Sequence, residues 1–149
     1  DEDIPYTFTA ADFGFTDPSD TPADVLTSVM ITTLPLNGVL SLGGVPVVAG
    51  DIIAVGDIPN LTFLSDLNDN GVAYASFTFQ VIDNGGTANG GVDMDTTPRT
   101  ITIDVNAVDD PPILAVNAGL ATFEGFTTTI TAAMLQATDV DTAAGDLVY

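Results

Sequence analysis

The sequence predicts an all-β chain, with an antiparallel β-sandwich of about seven strands over residues 1–110. The beginning of a second repeat follows over 111–149. Three observations lead there. Short runs rich in Thr, Val, Ile and Phe alternate apolar with polar residues, the two-residue period of a half-buried strand. Gly, Pro, Asn and Asp punctuate these runs at short intervals. No window carries the 3.6-residue period of an amphipathic helix long enough to pack on a core. With 46% hydrophobic residues, the chain can build a core and does not read as a disordered acidic tail.

In chain order, residues 4–9 give the first strand and residues 25–33 the second. Residues 38–42 and 45–48 form a tight hairpin about Gly43-Gly44, a pair suited to a two-residue turn with positive φ. A short strand is expected at residues 61–64. Residues 73–82 alternate cleanly, with Ala75, Phe77, Phe79 and Val81 on one face and Tyr74, Ser76, Thr78 and Gln80 on the other. Residues 100–108 alternate as well, with Ile101, Ile103, Val105 and Ala107 on one face. The intervening Gly-rich stretch, residues 83–98, reads as a long hairpin loop. Single helical turns are expected at residues 10–13 and 132–136.

The last strand runs into Val108-Asp109-Asp110-Pro111-Pro112. Proline lacks the N–H a ladder needs and holds its neighbour extended, so this segment reads as a stiff linker. The sequence then repeats its own start. At an offset of 129 − 7 = 122, Glu2 matches Glu124, Thr9 matches Thr131, and Ala10-Ala11 matches Ala132-Ala133. Without a gap, Thr16-Asp17 matches Thr138-Asp139, Asp24 matches Asp146, and apolar Ile4 and Phe13 match Phe126 and Leu135.

Charge is the second strong signal. The 21 Asp and Glu residues face one basic residue, Arg99, giving a formal charge of −20. Repulsion of this kind destabilises a compact chain unless counter-ions lie among the carboxylates. It also excludes nucleic acid as a partner, since phosphate binding needs a basic patch, and anionic membrane surfaces for the same reason. No apolar run is long enough to span a bilayer, so no membrane insertion is expected. The absence of Cys removes disulfide and thiol chemistry. Without His or Cys, neither ordinary acid–base catalysis at neutral pH nor a transition-metal site is supported. Paired carboxylates that hydrolyse glycosides need an enclosed sugar cleft, and there is no Trp and only three Tyr to line one. The chain is therefore not expected to be an enzyme.

Carboxylate and amide oxygens are hard ligands suited to Ca²⁺. The expected ligand set gathers at the linker: Asp104 and Asn106 at the end of the preceding strand, then Asp109 and Asp110, Glu124, and the D-x-D pair Asp139 and Asp141. In extended chain, residues i and i+2 face the same way, so such a pair can hold one ion. Weaker candidates are Glu2, Asp17 and Asp20 at the start of the first repeat. Asp66, Asn68 and Asn70 open like an EF-hand loop, but Phe77 stands where the twelfth-position Glu belongs. That loop, like Asp83–Gly86 and Asp93–Asp95, reads first as turn chemistry.

The strand with D-x-N, the Asp-Asp-Pro-Pro linker, the early Glu and the later D-x-D resemble the calcium-binding boundaries of cadherin repeats. The segments PYTFTAADFGFTDP, YASFTFQVIDNGGT, TITIDVNAVDDPPIL and LATFEGFTTTITAAMLQATDVDTAAGDLVY resemble the bacterial cadherin-like tandem repeat of large RTX-type surface adhesins, which is related to chondroitin-sulfate-proteoglycan repeats. The resemblance implies a cadherin-like, Ig-like sandwich within an extended rod. It implies rods stiffened by calcium at the boundaries, type I export, and a place at the cell surface or in the extracellular matrix. Asp109 stands where that family commonly has Asn, and Asp17-Pro18-Ser19-Asp20 displaces the second acid of the D-x-D by one position. The partners it implies are neighbouring repeats of the same protein. Two other readings stay open: a filament subunit whose copies exchange strands, and a module that binds carbohydrate or protein.

Overall fold

The computed structural model describes residues 1–18, 21–143 and 146–147. It divides the chain into two compact units, Asp1–Ala107 and Val108–Tyr149. The boundary falls slightly before the expected residue 110, so Asp109 and Asp110 belong with the second unit.

The first unit is an antiparallel β-sandwich. One sheet contains β1 (Tyr6–Thr7), β3 (Val39–Leu42), β4 (Val45–Pro46) and β6 (Leu61–Leu64), in the order β1-β6-β3-β4. The other contains β2 (Leu26–Ile31), β5 (Ile52–Ala54), β7 (Gly71–Asp83) and β8 (Arg99–Val105), in the order β5-β2-β7-β8. The alternation in the sequence places the core. In β7, Ala75, Phe77 and Phe79 are buried while their neighbours face outward. Val29 and Ile31 of β2, Ile53 of β5, Leu40 of β3, and Leu61 and Phe63 of β6 join them in one cluster.

Aromatic rings tie the two sheets together. Phe8 meets Phe77 edge to face at 5.7 Å, and Phe13 meets Phe79 at 4.9 Å. Such geometries set the positive ring edge against the negative face. Phe13 reaches the core because residues Ala10–Phe13 form a 3₁₀ turn, anchored by Asp12. The Asp12 carboxylate accepts the Thr9 N–H at 2.7 Å and the Thr9 hydroxyl at 3.1 Å. This turn cuts short the strand expected over residues 4–9. Pro5 has no N–H to give, and Thr9 is committed to the turn.

The hairpin about Gly43-Gly44 forms as read, with both glycines at positive φ (58° and 82°) and Leu42 opposite Val45. Strand β5 was not expected. Its three residues carry too little alternation to stand out, and it forms on the edge of β2, pairing Val29 with Ile53. Between Gly71 and Ala75 the β7–β8 register shifts. Ala73 sits there at φ 51°, and its N–H donates to Asp104 Oδ1 at 2.6 Å. This is the signature of a β-bulge, in which extra residues on one strand bend it.

The second unit contains one antiparallel pair, β9 (Ile113–Asn117) with β10 (Leu135–Thr138). The expected helical turn over 132–136 is shorter than read: residues 132–134 turn, and Leu135 and Gln136 already belong to β10. Phe123, Phe126 and Ile130 are exposed. Among the described residues, no helix is long and apolar enough to cross a membrane.

Phe77 is 1% exposed at the centre of the first unit. Phe77→Ala should therefore lose the transfer energy of the ring and leave a cavity, destabilising the unit by about 3–5 kcal/mol. Urea denaturation followed by tyrosine fluorescence measures it, with an exposed Val72→Ala control that should shift the midpoint little.

Candidate metal centre

One pole of the sandwich gathers the chain's start, the loop between β6 and β7, and the end of β8. Glu2 lies at its centre. Its backbone N–H donates to the Asn106 carbonyl at 2.9 Å, and its carboxylate, in a residue 2% exposed, accepts the Asn70 amide N–H at 3.1 Å. The flanking residues are stitched to the same elements. Asp3 N–H donates to Ser65 Oγ at 3.3 Å, Asp3 Oδ1 accepts the Asn68 N–H at 3.0 Å, and Asp1 Oδ1 accepts the Asn106 amide at 3.3 Å. A polar group buried this far is held by the partners packed around it.

The Asp66–Asn70 loop is held as a turn. Asp69 N–H donates to the Asp66 carbonyl at 3.1 Å, and Asn68 adopts φ 54°. Asp66 Oδ2 accepts the Gly38 N–H at 3.1 Å and the Tyr74 hydroxyl at 3.2 Å, and the same hydroxyl reaches Asp69 Oδ2 at 3.2 Å. Burial raises the Tyr74 phenol above its ordinary value near 10, and the neighbouring Asp69 and Asp66 carboxylates add to the rise. The phenol therefore stays protonated, and its single proton is shared between the two acids. The Asp66 and Asp69 carboxylates are thus tied into the turn, which agrees with the turn reading of this loop.

Of the strongest candidates, Asp104 and Asn106 lie in the first unit and serve different partners. The Asp104 carboxylate holds the β-bulge at Ala73, while Asn106 faces Asp1 and Glu2. In the second unit the linker meets the D-x-D turn. Asp110 N–H donates to Asp141 Oδ2 at 2.7 Å, and Asp139 Oδ1 accepts the N–H groups of Asp141 at 3.0 Å and Thr142 at 2.7 Å. Asp109 is exposed, and Glu124 is exposed in a turn with Gly125. Asp17 accepts the Asp24 N–H at 2.7 Å. Asp20 lies outside the described residues.

Two groupings result: Glu2, Asn70 and Asn106 in the first unit, and Asp110, Asp139 and Asp141 in the second. Among the described residues, no three Asp or Glu side chains converge as a ready-made metal cage. Carboxylate and amide oxygens of the kind present at the Glu2 pole are hard donors of the class that Ca²⁺ takes. In the sequence Glu2 carries only a weak signal, Asp69 one as part of the D-x-N-D-N run, and Ser65 and Tyr74 none. No family model, curated protein or solved structure matches this chain.

Tyr74→Phe removes the hydroxyl that accepts the Asp66 N–H and serves both carboxylates. It should cost about 1 kcal/mol by denaturant titration. The pH dependence has a definite sign. A phenol whose folded value is raised stabilises the fold fully below its unfolded value near 10, and that contribution is lost as pH climbs through the folded value. As pH rises from about 10 through the folded value, stability should fall more steeply in the parent than in Tyr74→Phe.

Proposed function

We propose that this chain is a non-catalytic, calcium-stabilised spacer repeat of a large extracellular bacterial surface or adhesion protein. One observation carries the reading: the carboxylate of Glu2 is buried at the pole where β8 ends, among amide groups, in a chain of net charge −20. The repeat at offset 122 supports it, because Glu124 matches Glu2 at the start of the next unit.

Glu2 would hold the ion, with Asn70 and Asn106 beside it. Asn70 now presents its NH₂ end to Glu2. Turning that amide over would offer its oxygen instead, an exchange that needs no backbone movement. The Asn106 carbonyl accepts the Glu2 N–H and keeps a second lone pair. When bound, Ca²⁺ would supply positive charge among the carboxylates of Asp1, Glu2 and Asp3. In the second unit, Asp110, Asp139 and Asp141 would serve the same purpose.

A charge-neutralised pole stiffens the junction with a neighbouring repeat, because repulsion between adjoining acidic surfaces falls. This is the physical content of a spacer: it holds length and direction and performs no chemistry.

Calcium should raise the melting temperature of the chain and EDTA should lower it. At free calcium about a hundredfold above the dissociation constant, the gain is roughly 2.7 kcal/mol. Glu2→Gln should fold, since the amide retains the shape and an acceptor for Asn70, but lose most of the calcium response of the first unit. Scanning calorimetry with calcium titration measures both. Identical melting in calcium and EDTA would sink the proposal.

A further inference from the structure

Four asparagines in the chain are followed directly by glycine: Asn37, Asn70, Asn84 and Asn89. This pair is open to intramolecular attack on the asparagine side chain, because glycine has no Cβ to hinder its backbone nitrogen. The fold ties down three of them. The Asn37 amide donates to the Tyr74 carbonyl at 3.1 Å, and the Gly38 N–H donates to Asp66 Oδ2 at 3.1 Å. Gly38 is also packed so closely that a Cβ there would run into the Leu64 carbonyl oxygen and the Phe63 ring. The Asn70 amide donates to Glu2 Oε2 at 3.1 Å, and Gly71 is paired with Val105 at the start of β7. Asn84 Oδ1 accepts the Val25 N–H at 2.7 Å, while the Gly85 N–H donates to Asp83 Oδ1 at 2.8 Å. Asn89 differs. It lies exposed in the loop between β7 and β8, at φ 56° and ψ 25°, and among the described residues its side chain makes no hydrogen bond.

We infer that Asn89 is a site of spontaneous covalent modification: it deamidates through a cyclic imide, while the fold protects Asn37, Asn70 and Asn84. The reaction needs only water. The Gly90 nitrogen gives its proton to solvent base and bonds to Asn89 Cγ. The Cγ–Nδ2 bond breaks, and the amide nitrogen takes a proton back from solvent and leaves as ammonia. Water then adds to either carbonyl of the five-membered ring, giving aspartate or isoaspartate; nothing is oxidised or reduced. Ring closure requires the asparagine side chain and ψ to turn until Cγ meets the next nitrogen. At Asn89 that turn breaks no side-chain hydrogen bond. At the other three it breaks the bond of the side chain and displaces a glycine held by its own partner, so each must first open locally. The base of the loop confines the change. Asp83 N–H donates to the Asp93 carbonyl and Asp95 N–H to the Val81 carbonyl, each at 2.9 Å, and the buried Phe77 and Phe79 lie beyond them in β7. The product therefore keeps the sandwich and gains one negative charge. The inference does not rest on calcium binding.

Incubating the full chain in mildly alkaline buffer, with each asparagine followed by tandem mass spectrometry, tests it. Asn89 should convert first, at least about tenfold faster than Asn37, Asn70 or Asn84. In denaturing guanidinium the four rates should converge, because the sequence pair is then the same at every site and the fold no longer distinguishes them. Isoelectric focusing should show one early acidic band in the parent and none in Asn89→Gln, whose longer side chain closes a ring less readily. Equal rates in the folded chain, a faster site elsewhere, or a ranking unchanged in guanidinium overturns the proposal. A melting temperature that falls as the acidic band grows overturns the confinement to the loop.

Discussion

With 21 acids and one arginine, the chain has almost no positive charge of its own with which to hold its carboxylates. Its loops answer with backbone N–H groups. Asp12 takes the N–H of Thr9, Asp51 that of Val48, Asp66 that of Gly38, Asp104 that of Ala73, and Asp139 those of Asp141 and Thr142. Hydrogen bonds to an ionised acceptor are stronger than neutral ones, so each acid fastens a turn while satisfying a backbone donor. Asp95 has both kinds of partner. The Thr97 N–H and the Arg99 guanidinium hold its carboxyl below the usual carboxylate range. Such local bonds orient the acids but leave their mutual repulsion in place.

Most of that charge lies outside the strands, with Asp83 at the end of β7 and Asp104 within β8 among those inside them. The strands bury alternate apolar side chains between the sheets, which leaves loops and termini to carry the acids. Glu2 is the exception, since it is buried among Asn70, Asn106 and its own neighbours. The same fastening that closes the pole also joins the first residues of the chain to the last strand of the unit. A change in ionic conditions at the pole therefore bears on both the first residues and the last strand of the unit.

The second unit reads as the opening of a repeat in both sequence and backbone. It keeps the turn at Thr131 and the D-x-D turn after β10. The residues that match the buried Phe8 and Phe13, namely Ile130 and Leu135, have no second sheet from the described residues of this unit to cover them; Ile130 is 58% exposed. An apolar side chain gains its transfer energy only when another layer removes it from water.

By itself the sequence determined the all-β class, the long central strand with its buried Phe77 and Phe79, the glycine hairpin, the turn at residues 10–13 and the repeat. Each of these is local: a two-residue period, a pair of residues suited to positive φ, an acid three positions after a threonine, or a matching segment. Only the tertiary structure decided that Glu2 is buried, that Asp104 holds a bulge, that Tyr74 bridges two acids and that β5 exists. These depend on residues dozens of positions apart meeting across a sheet or at a pole. The linker acids Asp109, Asp110 and the later D-x-D were legible as a motif, but which of them meet was not. A carboxylate's role is set by the amides and charges around it, and spacing along the chain does not specify those.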